Sequence, residues 1–273
     1  MLVGAVQLTS KNNKKKNLSV AVALMKRAVQ QGAELIALPE YFSFIGTKQE
    51  LLSLGAENQD SGLAYKTLKE FAKKNKVYIL GGTIPTFGPD KKRLYNRSVL
   101  IGPKGETLAQ YDKIHLFDTE LIDARSYRES DTFLPGKKLV LADTPFGKVG
   151  LTVCYDLRFP EVYRNLALRG ARLIFVPAAF TMYTGKDHWL ALLRARAIEN
   201  QAYIIAPAQY GKNSEHKISF GKTCIIDPWG NIVAQAADCE TVIIADIDFK
   251  FLSKVRRELP VLKHYRKDVF ELF

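Results

Sequence analysis

Short apolar runs alternate with amphipathic segments along this chain. The runs at residues 2–8, 35–38 and 77–80 have the length and composition of buried strands. Between them, apolar residues recur at helical spacing over 17–31, and a second helix is predicted over 61–75. Strands that alternate with helices in this way are typical of the α/β class.

The second half of the chain repeats this order. Segment 32–39 (GAELIALP) matches segment 170–177 (GARLIFVP), and a predicted hairpin over 98–110 matches a second one over 223–235. Two shorter matches fall in the same order: Val3-Gly4 with Val149-Gly150, and Val77-Tyr78-Ile79 with Ala202-Tyr203-Ile204. We expect two similar βαβ-type halves, sheet against sheet with helices outside, in one domain spanning 1–273. The alternative is a chance likeness between two α/β segments.

Composition excludes several classes of protein. The chain has 273 residues, of which 47% are apolar and 25% charged, as in ordinary globular domains rather than disordered or fibrous ones. No apolar run approaches the roughly 20 residues of a membrane helix. The first segment is strand-like and then basic, the reverse of a signal peptide. Three cysteines without a short-spaced pair suit a reducing cytoplasm and no structural metal: Cys154, Cys224 and Cys239.

The net charge of +12 does not by itself indicate nucleic-acid binding. The basic residues form small clusters, such as 73–76, 91–93 and 256–257, separated by acidic residues, which is typical of a solvated surface. No basic segment is interleaved with aromatic residues as in single-strand binding platforms. We expect no nucleic-acid partner, and the charge instead suits the attraction of a small anionic substrate.

Cys154 is the most informative single residue. The phosphate-loop, dinucleotide, G-x-S-x-G and H-E-x-x-H motifs are absent, so the chemistries they carry lose support. Cys154 follows the apolar run 149–153 and precedes a predicted helix at 161–168, which places it at the carboxyl edge of a sheet. Backbone N–H groups and a helix dipole favour a thiolate there. A buried structural cysteine is the alternative.

A cysteine nucleophile needs a base and a group that stabilises the oxyanion. Glu40 ends the strand 35–38 in the first half, at the edge that corresponds to the Cys154 edge in the second half. A carboxylate there is either a surface charge or a desolvated base with a raised pKa. Lys113 follows the first hairpin, and taken alone it is one surface lysine among many.

Glu40, Lys113 and Cys154 each lie in a short motif, and the three motifs in this order identify a protein family more specifically than any one residue does. They are L-P-E at 38–40, Y-x-K-x-H-L-F at 111–117 and V-C-Y-D-L-R-F-P-E at 153–161. Together they resemble the nitrilase superfamily of carbon–nitrogen hydrolases, over almost the whole chain. The resemblance implies a four-layer αββα sandwich, no metal or organic cofactor, and association as a homodimer or larger homo-oligomer.

The resemblance also implies a role for each matching residue. Cys154 matches the nucleophile of the family and Glu40 its general base. Lys113, together with the backbone N–H of Tyr155, matches the groups that stabilise the tetrahedral intermediate. Glu129, in a Glu-Ser pair ahead of Pro-Gly, matches a second, supporting glutamate. The implied reaction is hydrolysis of an amide through a thioester.

The later part of the chain resembles the Nit branch of this superfamily. The similar segments are RARAIE at 194–199, AQYG at 208–211 and LPV at 259–261. Members of that branch hydrolyse deaminated glutathione to 2-oxoglutarate and cysteinylglycine, or the omega-amides 2-oxoglutaramate and 2-oxosuccinamate. We expect the first activity for this chain, with the second, N-carbamoyl hydrolysis or a non-enzymatic binding or scaffold role as alternatives.

Residues of the substrate pocket are less clearly marked. Phe180 and Thr181 follow the strand at 173–176, at the same edge as Cys154, so they are expected to line the pocket. His188 is either beside it or a hydrogen-bonded structural residue. Arg158 either binds a substrate carboxylate or pairs with an acid such as Glu161.

One position departs from the pattern of the branch. Lys222, in Phe-Gly-Lys, stands where that branch commonly has Gly-His. Its effect on specificity is left open by the sequence.

Overall fold

Most of the strands form two large sheets. The computed structural model describes residues 1–59, 61–120, 126–215 and 217–270. The first sheet contains β1 (Leu2–Gln7), β2 (Leu35–Ala37), β3 (Tyr78–Leu80), β4 (Ile84–Phe87), β5 (Leu94–Ile101), β6 (Thr107–Asp112) and β17 (Thr241–Asp246). The second contains β9 (Val140–Thr144), β10 (Gly147–Leu151), β11 (Ala171–Phe175), β12 (Tyr203–Ala206), β15 (Cys224–Ile226) and β16 (Ile232–Gln235). Two short ribbons pair β7 (Asp118–Glu120) with β8 (Ser126–Arg128), and β13 (Tyr210–Lys212) with β14 (Ile218–Phe220).

Among the described strands of the two large sheets, six in each show the predicted repeat, and only β4, which pairs with β5, has no counterpart in the second sheet. β1, β2 and β3 are parallel neighbours, as are β10, β11 and β12. Each triplet continues into an antiparallel hairpin, β5–β6 or β15–β16, and each has an antiparallel strand beside its first member, β17 or β9. Even the register agrees, because Val3 pairs with Leu35 as Val149 pairs with Leu173.

Six α-helices are described beside these sheets: α1 (Lys14–Gln30), α2 (Lys48–Glu50), α3 (Leu63–Asn75), α4 (Pro160–Leu168), α5 (Met182–Asn200) and α6 (Phe249–Glu258). α1 begins three residues before the predicted start at 17. The reason is local, because the Asn13 side chain accepts the Lys16 N–H at 3.0 Å and caps the helix there. None of the described helices combines the length and apolar character needed to cross a membrane.

Alternate strand residues belong to different cores. Leu35 and Ala37 pack with the second sheet, whereas Ile36, between them, packs in the core that α1 and α3 cover. On the other side, α4 and α5 pack against the second sheet. The fold is therefore the expected αββα sandwich, and strands buried on both faces explain the continuous apolar runs of the sequence.

Candidate active site

Cys154 lies in a sharp turn at the carboxyl end of β10. Its backbone has φ +46°, a left-handed conformation that is uncommon outside glycine and that often marks functional sites. The Cys154 N–H donates to the Pro177 carbonyl at 3.0 Å, which ties the turn to the end of β11. A short 3₁₀ helix, Cys154–Arg158, follows and leads into α4, with Pro160 as its first residue.

Glu40 reaches the same place from the carboxyl end of β2. Its side chain is buried, with 1% of the residue exposed, and both oxygens are hydrogen-bonded. Oε2 accepts the Ala179 N–H at 2.7 Å. Oε1 accepts Asn96 Nδ2 at 2.8 Å and Lys113 Nζ at 3.1 Å. The carboxyl is thus fixed in orientation by groups from both sheets.

Lys113 lies one residue beyond β6, and only 2% of it is exposed. Its Nζ is 2.7 Å from Glu129 Oε2 and 3.1 Å from Glu40 Oε1. Burial alone would lower the pKa of Lys113, but the two carboxylates outweigh burial and hold that pKa well above its ordinary value. The lysine is therefore a buried cation between two acids.

Glu129 begins a 3₁₀ turn, Glu129–Asp131, that follows β8. Oε2 also accepts the Phe117 N–H at 2.7 Å, and Oε1 accepts the Tyr41 hydroxyl at 2.8 Å and Asn96 Nδ2 at 3.1 Å. Burial would raise the pKa of Glu129, yet the charge of Lys113 and these donors lower it below the usual 4.5. Glu129 is the ionised partner of the lysine.

The Cys154 thiol completes the cluster. It lines the same cavity as Glu40, Lys113 and Ala179, close enough for the charges of Glu40 and Lys113 to act on it. Burial and then the charge of Glu40 raise the pKa of Cys154 well above its ordinary value, and Lys113 offsets this only in part. The resting site therefore contains a thiol beside a carboxylate, an arrangement suited to proton transfer between them.

Asp156 joins the cysteine turn to the strand that carries Lys113. Its Oδ2 accepts the Tyr111 hydroxyl at 2.6 Å and the Val153 N–H at 2.9 Å. Oδ1 accepts the His115 N–H at 3.0 Å and lies 2.8 Å from His115 Nδ1. The two residues that flank Lys113 at i−2 and i+2 are thus held by one buried carboxyl. This contact explains why the lysine and cysteine motifs contain those side chains.

A cavity of about 220 Å³ opens onto this cluster. Besides the polar groups already described, its wall contains aromatic side chains and three cations. The cations are Arg128, Arg158 and Lys217. Arg128 pairs with Glu120, but no described acidic side chain forms an ion pair with Arg158 or Lys217. The guanidinium of Arg158 lies over the rings of Tyr155 and Phe180, and the Lys217 ammonium is 5.1 Å from the Tyr41 ring centroid.

The structure brings together Glu40, Lys113, Glu129 and Cys154, which the sequence placed in one site. Phe180 and Thr181 line the cavity, and the Thr181 hydroxyl also accepts the Thr184 N–H at the start of α5. His188 is not among the lining residues. The Nδ1 atom of His188 is instead 3.2 Å from Nη1 of Arg158, behind the wall.

Two other positions left open by the sequence now have defined contacts. Arg158 lines the cavity, and it does not pair with Glu161. Lys222 lies outside the cavity wall, where its Nζ is 2.6 Å from Asp238 Oδ1. The departure at Lys222 therefore leaves the described pocket wall unchanged.

Sequence reasoning missed Tyr41 and Asn96. Asn96 is buried in β5 and donates to both Glu40 and Glu129, and a polar residue in a largely buried strand was the available signal. Tyr41 gave no such signal, because aromatic residues are common in any core. As for metals, the described residues contain no group of three or more His, Cys, Asp or Glu side chains that could hold an ion.

Fold and site together define a class of hydrolase in which a cysteine, a carboxylate and a lysine meet at strand ends. Residues 2–257 match the family model described as carbon-nitrogen hydrolase. The chain therefore belongs to the carbon–nitrogen hydrolase family, within the nitrilase superfamily, and it is an amidase.

The sequence is similar to two kinds of amidase. It is 45% identical to a deaminated glutathione amidase of Synechocystis, over 96% of this chain and 97% of that one. It is 36% identical to the omega-amidase NIT2 of Bos taurus, over 98% of this chain and 95% of that one. These similarities confirm the predicted family and enzyme class.

Solved structures are similar over the same length. Nit3 of Saccharomyces cerevisiae, a member of branch 10 of the nitrilase superfamily, is 31% identical, with a TM-score of 0.88 over 97% of this chain and 96% of that one. A mutant of the amidase from Nesterenkonia sp. AN1 is 26% identical, with a TM-score of 0.78 over 95% of this chain and 98% of that one. In that mutant, acrylamide has undergone Michael addition at the active site cysteine. The predicted αββα fold is confirmed.

Proposed function

We propose that this enzyme hydrolyses the amide bond of deaminated glutathione, with Cys154 as nucleophile, and releases 2-oxoglutarate and cysteinylglycine. The observation that carries the chemistry is the buried Cys154 thiol in one cavity with the Glu40 carboxyl, whose Oε1 is 3.1 Å from the Lys113 ammonium. A thiol, a base in contact with it and a fixed cation are the three groups that acyl transfer needs.

In the first step, Glu40 takes the thiol proton as Cys154 Sγ attacks the amide carbonyl carbon. The carbon–oxygen π bond opens, and the oxyanion is stabilised by Lys113 and the backbone N–H of Tyr155. Lys113 is held by Glu40 and Glu129 before the reaction, so it does not have to reorganise as charge develops. Removal of such a donor costs about 10²–10³-fold in kcat in other hydrolases.

In the second step, the tetrahedral intermediate collapses and the carbon–nitrogen bond breaks. Glu40 gives its proton to the leaving amine, and a thioester remains on Cys154. Water then attacks the thioester, and Glu40 accepts a proton from that water. The carbon–sulfur bond breaks, Glu40 returns the proton to the sulfur so that thiol and carboxylate are both restored, and the carboxylic acid leaves. Glu129 takes no proton in this scheme and holds Lys113 in place.

The cations of the cavity support an anionic substrate. Deaminated glutathione carries one carboxylate on the acyl side of the scissile amide and another on the leaving cysteinylglycine. Arg158 and Lys217, which no described acid neutralises, contact different aromatic walls of the cavity. Two separate cations fit two separate carboxylates, and guanidinium and ammonium groups both bind carboxylates well.

Omega-amidase activity is the second candidate, because NIT2 of Bos taurus is 36% identical to this chain. Its substrate 2-oxoglutaramate has the acyl-side carboxylate and releases ammonia, so only one of the two cations would be used. N-carbamoyl hydrolysis, a cytoplasmic location and a homodimer or larger assembly stay predictions.

The test compares 2-oxoglutarate release from deaminated glutathione and from 2-oxoglutaramate as kcat/KM, with Cys154→Ala as the blank. We expect a preference of at least about tenfold for the larger amide, the scale of one additional charge-assisted contact. Of the two variants Arg158→Met and Lys217→Met, one should weaken that preference and leave the smaller amide largely unaffected, which identifies the cation on the leaving-group side. Preference for 2-oxoglutaramate would establish the omega-amidase instead, and no activity on either would reject both substrates.

A further inference from the structure

Tyr41 has an unusual backbone conformation for a large residue. Its φ is +57°, in the left-handed region that favours glycine. Two contacts hold it there. The Tyr41 N–H donates to Thr83 Oγ1 at 2.7 Å, and Gln209 Nε2 donates to the preceding carbonyl, that of Glu40, at 2.9 Å. A bulky side chain kept in such a conformation indicates that the position of the side chain matters.

The Tyr41 hydroxyl is directed at the second carboxylate of the site. It donates to Glu129 Oε1 at 2.8 Å, while the ring packs on Phe133 with a centroid separation of 5.8 Å. Glu129 therefore accepts four donors, from Tyr41, Asn96, Lys113 and the Phe117 backbone.

Glu40 has a different set of partners. It accepts hydrogen bonds from Asn96, Lys113 and the Ala179 N–H, and it shares the cavity with the Cys154 thiol. Lys113 is also closer to Glu129, at 2.7 Å, than to Glu40, at 3.1 Å. One ammonium faces two carboxylates, so the additional donors determine which carboxylate keeps its charge more firmly. The mechanism needs one acid that exchanges protons and one that does not.

We propose that Tyr41 is a positioning residue that holds Glu129 as a carboxylate turned towards Lys113, so that proton exchange during turnover is confined to Glu40. The inference rests on the roles given above to Cys154 and Glu40. Tyr41 itself stays a donor, because burial and then the charge of Glu129 raise its pKa well above the ordinary value.

Other charged groups surround Glu129 and enter any account of its titration. Three of these groups belong to the reacting cluster: Lys113 beyond β6, Glu40 beyond β2 and Cys154 in its turn. The other three lie on neighbouring segments: Arg128 in β8, Asp118 in β7 and Lys217 over the Tyr41 ring. Tyr41→Phe leaves all of these groups in place and removes one oxygen atom. A change in the pH dependence of activity or of Cys154 alkylation can therefore be attributed to the loss of the Tyr41 hydroxyl.

The experiment measures two pH profiles for the wild type and Tyr41→Phe. One is kcat/KM for the amide that the enzyme turns over, and the other is the rate of Cys154 alkylation by iodoacetamide, which needs no substrate. We expect the acid-side inflection of both to move up by about one pH unit, the scale of one hydrogen bond to a charged group. In Glu129→Gln, adding Tyr41→Phe should produce no further shift of the alkylation profile.

Tyr65→Phe is the matched control. The Tyr65 side chain is also fully buried in the first half, its hydroxyl is 2.7 Å from Thr86 Oγ1, and it lies away from the cavity. Its profiles should coincide with those of the wild type. Unshifted inflections in Tyr41→Phe, whether or not the rate falls uniformly at every pH, would overturn the proposal. A shifted alkylation profile without turnover of any amide would support it and reject the proposed function.

Discussion

The two halves of the molecule have the same strand order but opposite chemistry at the edge where they meet. Cys154 lies five residues after Val149, and the equivalent position after Val3 is Leu8. Glu40 follows Pro39, and the equivalent residue after Pro177 is Ala178. Leu8 and Ala178 are both buried and apolar. The repeat supplies a common scaffold, and a few substitutions at the strand ends determine which half carries which group.

The first half contributes charge, and the second contributes a thiol with uncharged donors. Glu40 and Lys113 come from the first sheet, whereas Cys154 and the Ala179 N–H come from the second. Two identical edges would bring together either two acids or two thiols, and neither pair can perform acyl transfer alone. Under the proposed mechanism, the difference between the halves is therefore a requirement of the chemistry.

The largest expected effect comes from removing the thiol. Cys154→Ala should fold and lose activity by a factor on the order of 10⁶, as when other hydrolases lose their nucleophile. Placing a cysteine at the equivalent site of the first half, Leu8→Cys in the Cys154→Ala chain, should restore nothing, because the residue that corresponds there to Glu40 is the apolar Ala178. Steady-state rates measure both variants. Activity in Cys154→Ala would contradict the role given to Cys154, and activity regained on adding Leu8→Cys would show that the halves are chemically interchangeable.

Removing the buried cation should affect stability as well as rate. Lys113→Met leaves Glu40 and Glu129 buried without their counter-charge, which should reduce the free energy of unfolding by about 3–5 kcal/mol. The second half has a more exposed ion pair beside its hairpin, Lys222–Asp238, with side-chain exposures of 26% and 59%. Lys222→Met should reduce stability by no more than about 1 kcal/mol. Urea unfolding compares the two, and equal losses would contradict the assignment of a buried ion pair to the first half.

Glu129 should stabilise the fold in a pH-dependent way. Its pKa in the folded protein is lowered, so its contribution is fully present above the ordinary value of 4.5 and is lost as the pH falls through the lower, folded-state pKa. The difference in free energy of unfolding between the wild type and Glu129→Gln should therefore shrink below about pH 4.5. Urea titrations over that range measure it. A difference that grows on acidification would mean that Glu129 is protonated in the folded protein.

The smallest effect is expected at Lys222. Lys222→His restores the Gly-His pair that the sequence lacks, but position 222 lies outside the cavity wall. The ratio of kcat/KM for deaminated glutathione and 2-oxoglutaramate should stay unchanged, and stability should change by less than about 0.5 kcal/mol. A reversal of substrate preference would show that the second half shapes specificity from outside the cavity.

Sequence patterns predicted the strands and the repeat, and the family resemblance implied the αββα class. Glu40 and Cys154 could be placed at one edge because each follows an apolar strand. Lys113 and Glu129 could be assigned to the site only through the family resemblance. A residue that follows a hairpin or begins a 3₁₀ turn is usually exposed, so the local sequence does not predict a buried charge there. The three-residue strands of the two short ribbons were not predicted, because so few residues give no clear alternation.

Contacts between distant residues account for what was missed at the site. Tyr41 and Glu129 are 88 residues apart, and Asn96 and Glu129 are 33 apart. No local pattern reports such a pairing, because the side chains meet only after the strands have been assembled. The strands β9 and β17 were also not predicted. They are strands because they pair with β10 and β1, the first strand of each parallel triplet, and that pairing forms only in the folded chain.

The central claim is that Cys154 forms a covalent acyl-enzyme with help from Glu40. Intact-protein mass spectrometry after rapid mixing with deaminated glutathione, followed by quenching in acid, tests it most directly. The account predicts a mass increase equal to the 2-oxoglutaryl group, located on the peptide that contains Cys154 and absent from Cys154→Ala. Turnover by the wild type without any adduct, together with continued cleavage of the amide by Cys154→Ala, would contradict it.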